Sequence, residues 1–528
     1  MRQLLRHYGW ILLVAVPVFF VNLGAPKLWD RDEPRNAGCA VEMLEQDDWV
    51  VPMFNDELRV HKPVLLYWFM MSAYAVFGVG EFAARFWSAV FGLGTVLMTY
   101  HMGRRLFSPS VGLWSAISLA SCLMFSVAAR AATPDSVLVF FTTAATAVYV
   151  LGAFPKREER RRATDTKEKT YFPASWPLVV LMYALMGMAV LAKGPVGFLL
   201  PMAVIGMFLL IVRLPDVDPN VEPHRDPVLQ FLRRLFRPFA PRHFLSVLWS
   251  MRPLTATVVI LAVALPWYVW VGLRTDGEWL RGFFLVHHFQ RATESLEGHR
   301  GPFFYYLIAI IPSFFPWSLL LLPTLEQAVN RIRRRLTSYA PYVLITCWAA
   351  LYIAAFSCAQ TKLPNYITPA MPALALLTGC FLDRVRRRWH GLAEYWFRFS
   401  FDTLVIAGVC LGTAGVIAGW VLLGDGWIGL VGIVPVVGGL IGRRYMSQAC
   451  HRDAITTLAV TAAVFAFALF ALAAPQVSRH RHCDTLFEAM YARASEPQIA
   501  TYGCFESSWV FYARRPIQEF HGGDLKRA

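Results

Sequence analysis

The sequence predicts an all-α polytopic membrane protein. Its 528 residues are 56% hydrophobic and only 16% charged, whereas a soluble domain averages about 25% charged residues. Long uncharged runs recur along the chain, among them 9–23, 137–154, 255–273 and 303–322. Each run approaches the ~20 apolar residues that a helix needs to cross the hydrocarbon layer of a bilayer. These observations exclude the class of soluble proteins.

About thirteen of these runs are predicted to span the membrane. They lie near 9–25, 82–102, 111–130, 136–154, 176–192, 195–212, 254–273, 302–323, 340–358, 366–382, 400–422, 427–442 and 455–474. The first run follows Arg2 and Arg6, as the apolar region of a signal peptide would. Because no small-residue cleavage site follows it, we interpret it as an uncleaved first span.

The run 63–79 is ambiguous, and the distribution of basic residues decides its interpretation. Cytoplasmic loops are enriched in Lys and Arg. If 63–79 lies at the outer surface as an interfacial or re-entrant helix, six basic clusters all fall on the inner face. These clusters are Arg104-Arg105, 156–162, 233–242, 331–335, 384–388, and Arg443-Arg444 with Arg452. This pattern also accounts for the net charge of +15 without a nucleic-acid partner.

The chain is thereby divided into a transmembrane domain, 1–475, and a small extracytoplasmic C-terminal region, 476–528. The external loop 26–81 belongs to the first of these. In the C-terminal region, residues 499–513 are predicted to form a strand, a turn and a helix of an α/β-like unit. Cys483 and Cys504 both lie there, and they either form a disulfide in an oxidising compartment or remain two free thiols.

Carboxylates stand at two positions on the outer face. Asp32 and Glu33 precede Pro34 at the start of a predicted helix, where acidic side chains favour the positive end of the helix dipole. Asp135 lies at the outer end of another span, shortly after Arg130. A helix cap is an alternative interpretation of each position. Four charges within five residues of the first loop exceed what a cap requires.

Cationic residues share this face. Lys62 lies at the mouth of the 63–79 helix, where an anchoring lysine is the alternative, and further groups occur at 287–291 and 362–366. Carboxylates and cations together suit a reaction with a general base and an anionic, membrane-bound leaving group. The predicted spans carry no Asp or Glu near their middle, which argues against a proton-coupled transporter.

Several motifs resemble those of one enzyme family. Residues 28–35 read Leu-Trp-Asp-Arg-Asp-Glu-Pro-Arg, followed by Asp-Trp-Val-Val-Pro at 48–52, His-Lys-Pro-Val-Leu-Leu-Tyr-Trp at 61–68 and Glu-Phe-Ala-Ala-Arg at 81–85. Further motifs follow in order at 191–195, 283–291 and 361–369. Together they resemble the ArnT-like and protein O-mannosyltransferase-like GT-C membrane glycosyltransferases, which use polyprenyl-phosphate sugars. The resemblance covers the chain to about residue 380.

The resemblance implies roles for individual residues. Three carboxylates are expected at the catalytic centre: Asp32, Glu33 and Asp135. The group expected to hold the donor phosphate comprises Lys62, Arg35, Arg291, Lys362 and Tyr366. His288 is similar to a histidine that helps to bind a metal ion, and His61 with His288 could form part of a divalent metal site for zinc, magnesium or manganese.

The sequence departs from the family pattern at two positions. His61 stands where glutamate is usual, and Asn36 stands where tyrosine is usual. The expected activity is inverting transfer of a hexose or pentose from a polyprenyl-phosphate donor to a lipid, glycan or protein acceptor. It would take place at the extracytoplasmic face of the plasma (inner) membrane. A lipid or glycan transporter or flippase is the alternative, and a non-catalytic assembly protein of the same fold is a third.

Overall fold

The computed structural model describes residues 2–29, 31–155, 170–215, 236–285, 301–336, 339–389, 391–479, 483–494 and 497–520. Its first half contains ten α-helices and one short hairpin among these residues. In chain order they are α1 (Arg2–Phe20), α2 (Asp32–Glu45), β1 (Met53–Phe54), β2 (Glu57–Leu58), α3 (Leu65–Phe77), α4 (Glu81–Leu106), α5 (Pro109–Ala120), α6 (Leu123–Arg130), α7 (Pro134–Ala153), α8 (Trp176–Lys193), α9 (Val196–Val212) and α10 (Pro241–Ser250). Strands β1 and β2 pair antiparallel.

The second half is also mainly helical. Its α-helices are α11 (Pro253–Arg274), α12 (Glu278–Arg281), α13 (Tyr305–Ser313), α14 (Leu321–Arg333), α15 (Tyr339–Cys358), α16 (Met371–Arg387), α17 (Gly391–Leu423), α18 (Ile433–Ser447), α19 (His451–Ala468), α20 (Ala474–Ser478), α21 (Cys483–Tyr491) and α22 (Ser507–Ala513). Short 3-10 turns occur at Arg237–Phe239, Trp317–Leu320, Pro364–Ala370 and Trp427–Gly432, and a π turn at Leu469–Ala473. Strands β3 (Ile499–Tyr502) and β4 (Ile517–Phe520) pair in parallel.

Helices long and apolar enough to span a membrane dominate the described part of the chain. Ten qualify on their own, and two bent pairs raise the number to twelve. The bent pairs are α5 with α6, at 66°, and α13 with the helix from Trp317 to Arg333, at 119°. Helix α9 corresponds to another predicted span but has only 17 residues. The predicted all-α polytopic architecture is confirmed. Two of the predicted spans, 111–130 and 302–323, fall on the bent pairs and not on single helices.

Helix α3 occupies the ambiguous segment 63–79. Its 13 residues give a length of about 20 Å at 1.5 Å per residue, less than the ~30 Å hydrocarbon thickness. Tyr67 and Tyr74 are buried against the rest of the protein. The segment is therefore too short to cross alone, in keeping with an interfacial or re-entrant position.

Small residues allow neighbouring spans to approach closely. A Cβ atom added at Gly103 would lie 2.7 Å from the Cα atom of Gly112, and one added at Gly379 would lie within 3 Å of the backbone of Val111. Glycine is enriched at such helix interfaces because it leaves room for the neighbouring backbone. Helices α4, α5 and α16 consequently pack as a tight group.

Polar contacts join helix ends at each of the two faces of the bundle. At one face, Arg105 near the end of α4 donates to the carbonyls of Leu151 and Phe154 at 3.0 and 2.9 Å. At the other face, Arg274 at the end of α11 pairs with Asp48 at 2.8 Å. In each contact, the two segments that are joined are ones that the distribution of Lys and Arg assigns to the same side of the membrane. The basic cluster 156–162 lies outside the described residues.

The C-terminal region packs on the acidic loop. The side chain of Asn55 donates to the carbonyl of Ile517 at 3.0 Å, and the amide of Ile517 donates back at 2.7 Å. The hydroxyl of Tyr512 accepts from the amide of Leu28 at 2.9 Å and donates to Glu81 at 3.1 Å. Cys504 carries an exposed free thiol, whereas the side chain of Cys483 lies outside the described residues. The domain boundary at 475 stays a prediction, and of the two alternatives for the cysteines the free thiol is the one seen at Cys504.

Candidate active site

A buried ion pair fixes the beginning of α2. The carboxylate of Glu33, 5% exposed, accepts from Nε and Nη2 of Arg85 at 2.9 and 2.7 Å. It also accepts from the backbone amides of Trp29 and Ala132 at 2.6 and 2.7 Å. Both oxygens of Glu33 are therefore occupied by donors from three segments of the chain. This environment favours a positioning role for Glu33, and its predicted catalytic role stays a prediction.

Arg85 extends the same network to the loop before α2. Its Nη1 donates to the carbonyls of Leu23 and Pro26 at 3.0 and 2.6 Å, and its Nη2 donates to that of Lys27 at 3.0 Å. A planar guanidinium can make this many bonds because its donors form a fixed fork. The end of the first span and the start of α2 are thus held to the beginning of α4.

A second buried ion pair lies at the same face, between α7 and α8. The ammonium of Lys193, the last residue of α8, donates to Oδ1 of Asp135 in the first turn of α7. Asn365 donates to Oδ2 of Asp135 at 2.8 Å. The ring of Tyr366 lies 5.1 Å from the ammonium. Asp135 is only 5% exposed, and these partners offset the cost of burying its carboxylate.

Asp32 completes this arrangement from the exposed side. It lies in the first turn of α2 and is exposed to solvent. Its carboxylate interacts electrostatically with Lys193 and with Arg59. Lys193 thus forms an ion pair with one predicted catalytic carboxylate, Asp135, and interacts electrostatically with a second, Asp32.

Arg59 links the helices beneath Asp32. It is buried and donates to the side chain of Asn36 at 2.9 Å and to the hydroxyl of Tyr67 at 3.0 Å. Asn36 in turn donates to the carbonyl of Ala132 at 3.0 Å. The asparagine that departs from the family pattern therefore bridges α2 to the start of α7.

Two residues expected to bind the donor phosphate have protein partners. Arg35 donates through Nε to Ser507 of the C-terminal region at 2.9 Å. Lys362 donates to the carbonyls at the end of α15, those of Phe356 at 3.2 Å, Ala359 at 2.6 Å and Ser357. Burial lowers the pKa of Lys362. These contacts make Lys362 a cap for the helix end, and phosphate binding by either residue stays a prediction.

The remaining predicted residues are only partly placed. Lys62 and His61 are half-buried just before α3. His288 and Arg291 lie outside the described residues. Within the described ranges, no three His, Cys, Asp or Glu side chains are grouped closely enough to hold a metal ion. The metal site at His61 and His288 therefore stays a prediction.

Sequence reasoning left three residues of this site unassigned. Lys193 and Asn365 lie within motifs at 191–195 and 361–369, but neither received a role. Arg85 ends the motif at 81–85 and likewise has no predicted role. An arginine inside a long apolar segment is a signal of a buried polar contact, and Arg85 fits that description. The pairing of Lys193 with Asp135 depends on the packing of α7 against α8, which no spacing in the sequence reveals.

The comparisons with known proteins agree with this architecture. The family model of dolichyl-phosphate-mannose-protein mannosyltransferases matches residues 11–275. The chain belongs to this family. It is 30% identical, over 382 residues, to undecaprenyl phosphate-alpha-4-amino-4-deoxy-L-arabinose arabinosyl transferase of Edwardsiella ictaluri. The match covers 71% of this chain and 60% of that protein, so the chain spans less than two thirds of the length of this curated relative.

Solved structures show the same fold. The crystal structure of ArnT from Cupriavidus metallidurans bound to undecaprenyl phosphate matches with a TM-score of 0.73 and 24% identity. That match covers 97% of this chain and 86% of that one. Archaeal oligosaccharyltransferase AglB from Archaeoglobus fulgidus, in complex with an inhibitory peptide and a dolichol-phosphate, has a TM-score of 0.51 at 14% identity, covering 97% and 64%. The predicted ArnT-like GT-C fold is therefore confirmed.

Proposed function

We propose that this protein is a glycosyltransferase that moves a hexose or pentose from a polyprenyl-phosphate donor to a lipid, glycan or protein acceptor. The observation that carries the proposal is the buried Asp135–Lys193 ion pair, with which the exposed carboxylate of Asp32 interacts electrostatically. Membership of the family and the likeness to ArnT, solved with undecaprenyl phosphate, support a lipid-linked donor.

The proposed reaction is a single displacement that inverts the anomeric carbon. The acceptor oxygen forms a bond to this carbon while the bond from the carbon to the donor phosphate oxygen breaks. The lipid phosphate leaves with the bonding electrons. A hydroxyl acceptor passes its proton to Asp32, whereas a phosphate acceptor needs no base and is only oriented there.

Positive charge assists departure of the phosphate. Lys62 and Arg291 are proposed to neutralise the charge that develops on the leaving group, Lys62 as a point charge and Arg291 as a bidentate fork. Lys193, fixed by Asp135 and the ring of Tyr366, holds a further positive charge close to Asp32. Fixed cations stabilise such a transition state because they need no reorganisation during the reaction.

We further propose that this face of the bundle is extracytoplasmic and that the protein lies in the plasma (inner) membrane. The positive-inside distribution of Lys and Arg supports this orientation. The contacts between helix ends on each face are compatible with it. The donor lipid would then enter from the outer leaflet, along the apolar surface of α3.

The test measures release of undecaprenyl phosphate from a labelled undecaprenyl-phosphate sugar by full-length protein in nanodiscs, with envelope extracts as acceptor. Asp32→Asn should lower the rate on the order of a hundredfold. Asp56→Asn is the matched control, because Asp56 is an exposed carboxylate of the same loop, and it should retain the rate. Full activity of Asp32→Asn would overturn the assignment.

Product analysis separates catalysis from transport. A transporter or flippase would move the intact donor between leaflets and release no lipid phosphate. Mass spectrometry of envelope lipids and glycans from a deletion strain would then identify the sugar and the acceptor.

A further inference from the structure

A cavity of about 610 Å³ opens at the opposite face of the bundle, where α5, α14, α15 and α16 meet. Arg331, Arg384, Arg387 and Arg388 line it together with Asp383 and Trp389. Arg331 and Arg384 also line a neighbouring cavity of about 200 Å³. This second space extends the basic surface around the same two residues.

The cavity is distant from the candidate active site. Helix α4 joins the two faces, with Arg85 near its beginning at the active site and Phe107, just after its end, lining the cavity. Twenty-one residues separate Arg85 from Leu106, which corresponds to about 32 Å at 1.5 Å per residue. The donor sugar bound near Asp32 therefore cannot account for this cluster of arginines.

Positive side chains outnumber negative ones in the described wall of the cavity. Among the described residues of its wall, Asp383 provides the carboxylate. It accepts from Arg387 at 3.0 Å and from Ser108 at 3.4 Å. Arg384 makes a long contact of 3.4 Å with the side-chain oxygen of Gln327. The carboxylate of Asp383 balances one of the four guanidinium charges, so the wall carries an excess of positive charge that suits an anion.

Trp389 forms one side of the cavity wall. Its ring stacks on that of His451, with centroids 3.9 Å apart, and this stack fixes the wall beside the arginines. Arginines that only set the topology of the chain would not need to line a common cavity.

We propose that this cavity binds the phosphate headgroup of an anionic phospholipid. Arg331 and Arg384 would contact the phosphate oxygens as bidentate donors. Basic pockets between transmembrane helices bind anionic lipid headgroups in this way. Because the cavity lies at the ends of spanning helices, the acyl chains of a bound lipid can remain in the bilayer.

The test counts lipids bound to the full-length protein by native mass spectrometry, with a titration of phosphatidylglycerol in detergent micelles. The wild type should bind phosphatidylglycerol in preference to phosphatidylcholine. The double variant Arg331→Gln/Arg384→Gln should bind it at least roughly tenfold more weakly, since each charged hydrogen bond contributes measurably. Arg384→Lys, which retains the charge but not the bidentate fork, should weaken binding by a smaller factor and tests the site if the double variant does not fold.

The control is Arg398→Gln/Arg443→Gln. It removes the same number of charges, but Arg398 and Arg443 are exposed and paired with Glu394 and Asp402 outside the cavity. The control should bind phosphatidylglycerol as the wild type does. Equal binding by both double variants would overturn the proposal. Competition by inorganic phosphate alone, at concentrations comparable to those of the lipid, would identify a soluble phosphate as the ligand and also overturn it.

Discussion

Replacing Lys193 with methionine removes the ammonium that bonds Asp135 and leaves a carboxylate that is 5% exposed. Asn365 would still donate to its other oxygen at 2.8 Å. Removing one partner of a buried ion pair lowers the free energy of unfolding by about 3–5 kcal/mol. Because the side chain of Lys193 is 17% exposed, we expect a loss near the lower end of that range. Transfer activity should fall on the order of a hundredfold if the ammonium stabilises the transition state.

The double variant Lys193→Met/Asp135→Asn separates stability from catalysis. It contains neither charge, so it should regain most of the free energy of unfolding lost in Lys193→Met, while transfer stays low. Thermal unfolding in detergent and release of lipid phosphate measure the two quantities. Recovery of activity together with stability would show that the pair is structural alone. Arg274→Met is the control at the exposed pair with Asp48, where about 1 kcal/mol or less is expected.

Three further variants test the surroundings of the site. Glu33→Gln should lower the free energy of unfolding by about 3–5 kcal/mol, because Arg85 would be left as a buried cation; an unchanged unfolding temperature would contradict this. Burial raises the pKa of the Glu42 carboxyl in the folded protein above its value in the unfolded chain. The folded protein therefore loses stability as the pH rises from the unfolded-state pKa to the folded-state pKa. Glu42→Gln should therefore raise the unfolding temperature at pH 8 but not at pH 4, and equal shifts at both pH values would refute the argument. Lys362→Met should lower the free energy of unfolding by about 1–2 kcal/mol through loss of the contact with the end of α15, with KM for the donor unchanged; a higher KM at normal stability would instead indicate phosphate binding.

The sequence was sufficient to predict the helical architecture, because apolar runs and basic clusters report directly on membrane insertion. Breaks within two of the spans were not part of the prediction. The break between α5 and α6 falls at Ser121 and Cys122, and no glycine or proline lies between Leu113 and Arg130. The other break follows Pro312 and includes Pro316, and such prolines can be recognised as interruptions.

At the candidate site, residue types were easier to predict than their partners. Asp32 and Asp135 stood out as carboxylates at the outer ends of spans, and the structure places both near Lys193. The lysine itself lies 58 positions from Asp135, and their contact follows from the packing of α7 on α8. For Lys362, the motif predicted phosphate binding, but in the structure its ammonium donates to carbonyls at the end of α15.

The contacts between the C-terminal region and the acidic loop also affect the order in which the site can assemble. Arg35 and Ser507 are 472 residues apart, which corresponds to roughly 25 to 95 s of synthesis at ~5–20 residues per second. During that interval the loop has already emerged, whereas the segment that packs on it has not been made. The loop that carries the candidate site therefore reaches its final arrangement only after all the spanning helices have been synthesised. Premature release of the chain would leave an inserted protein in which this loop is incompletely organised.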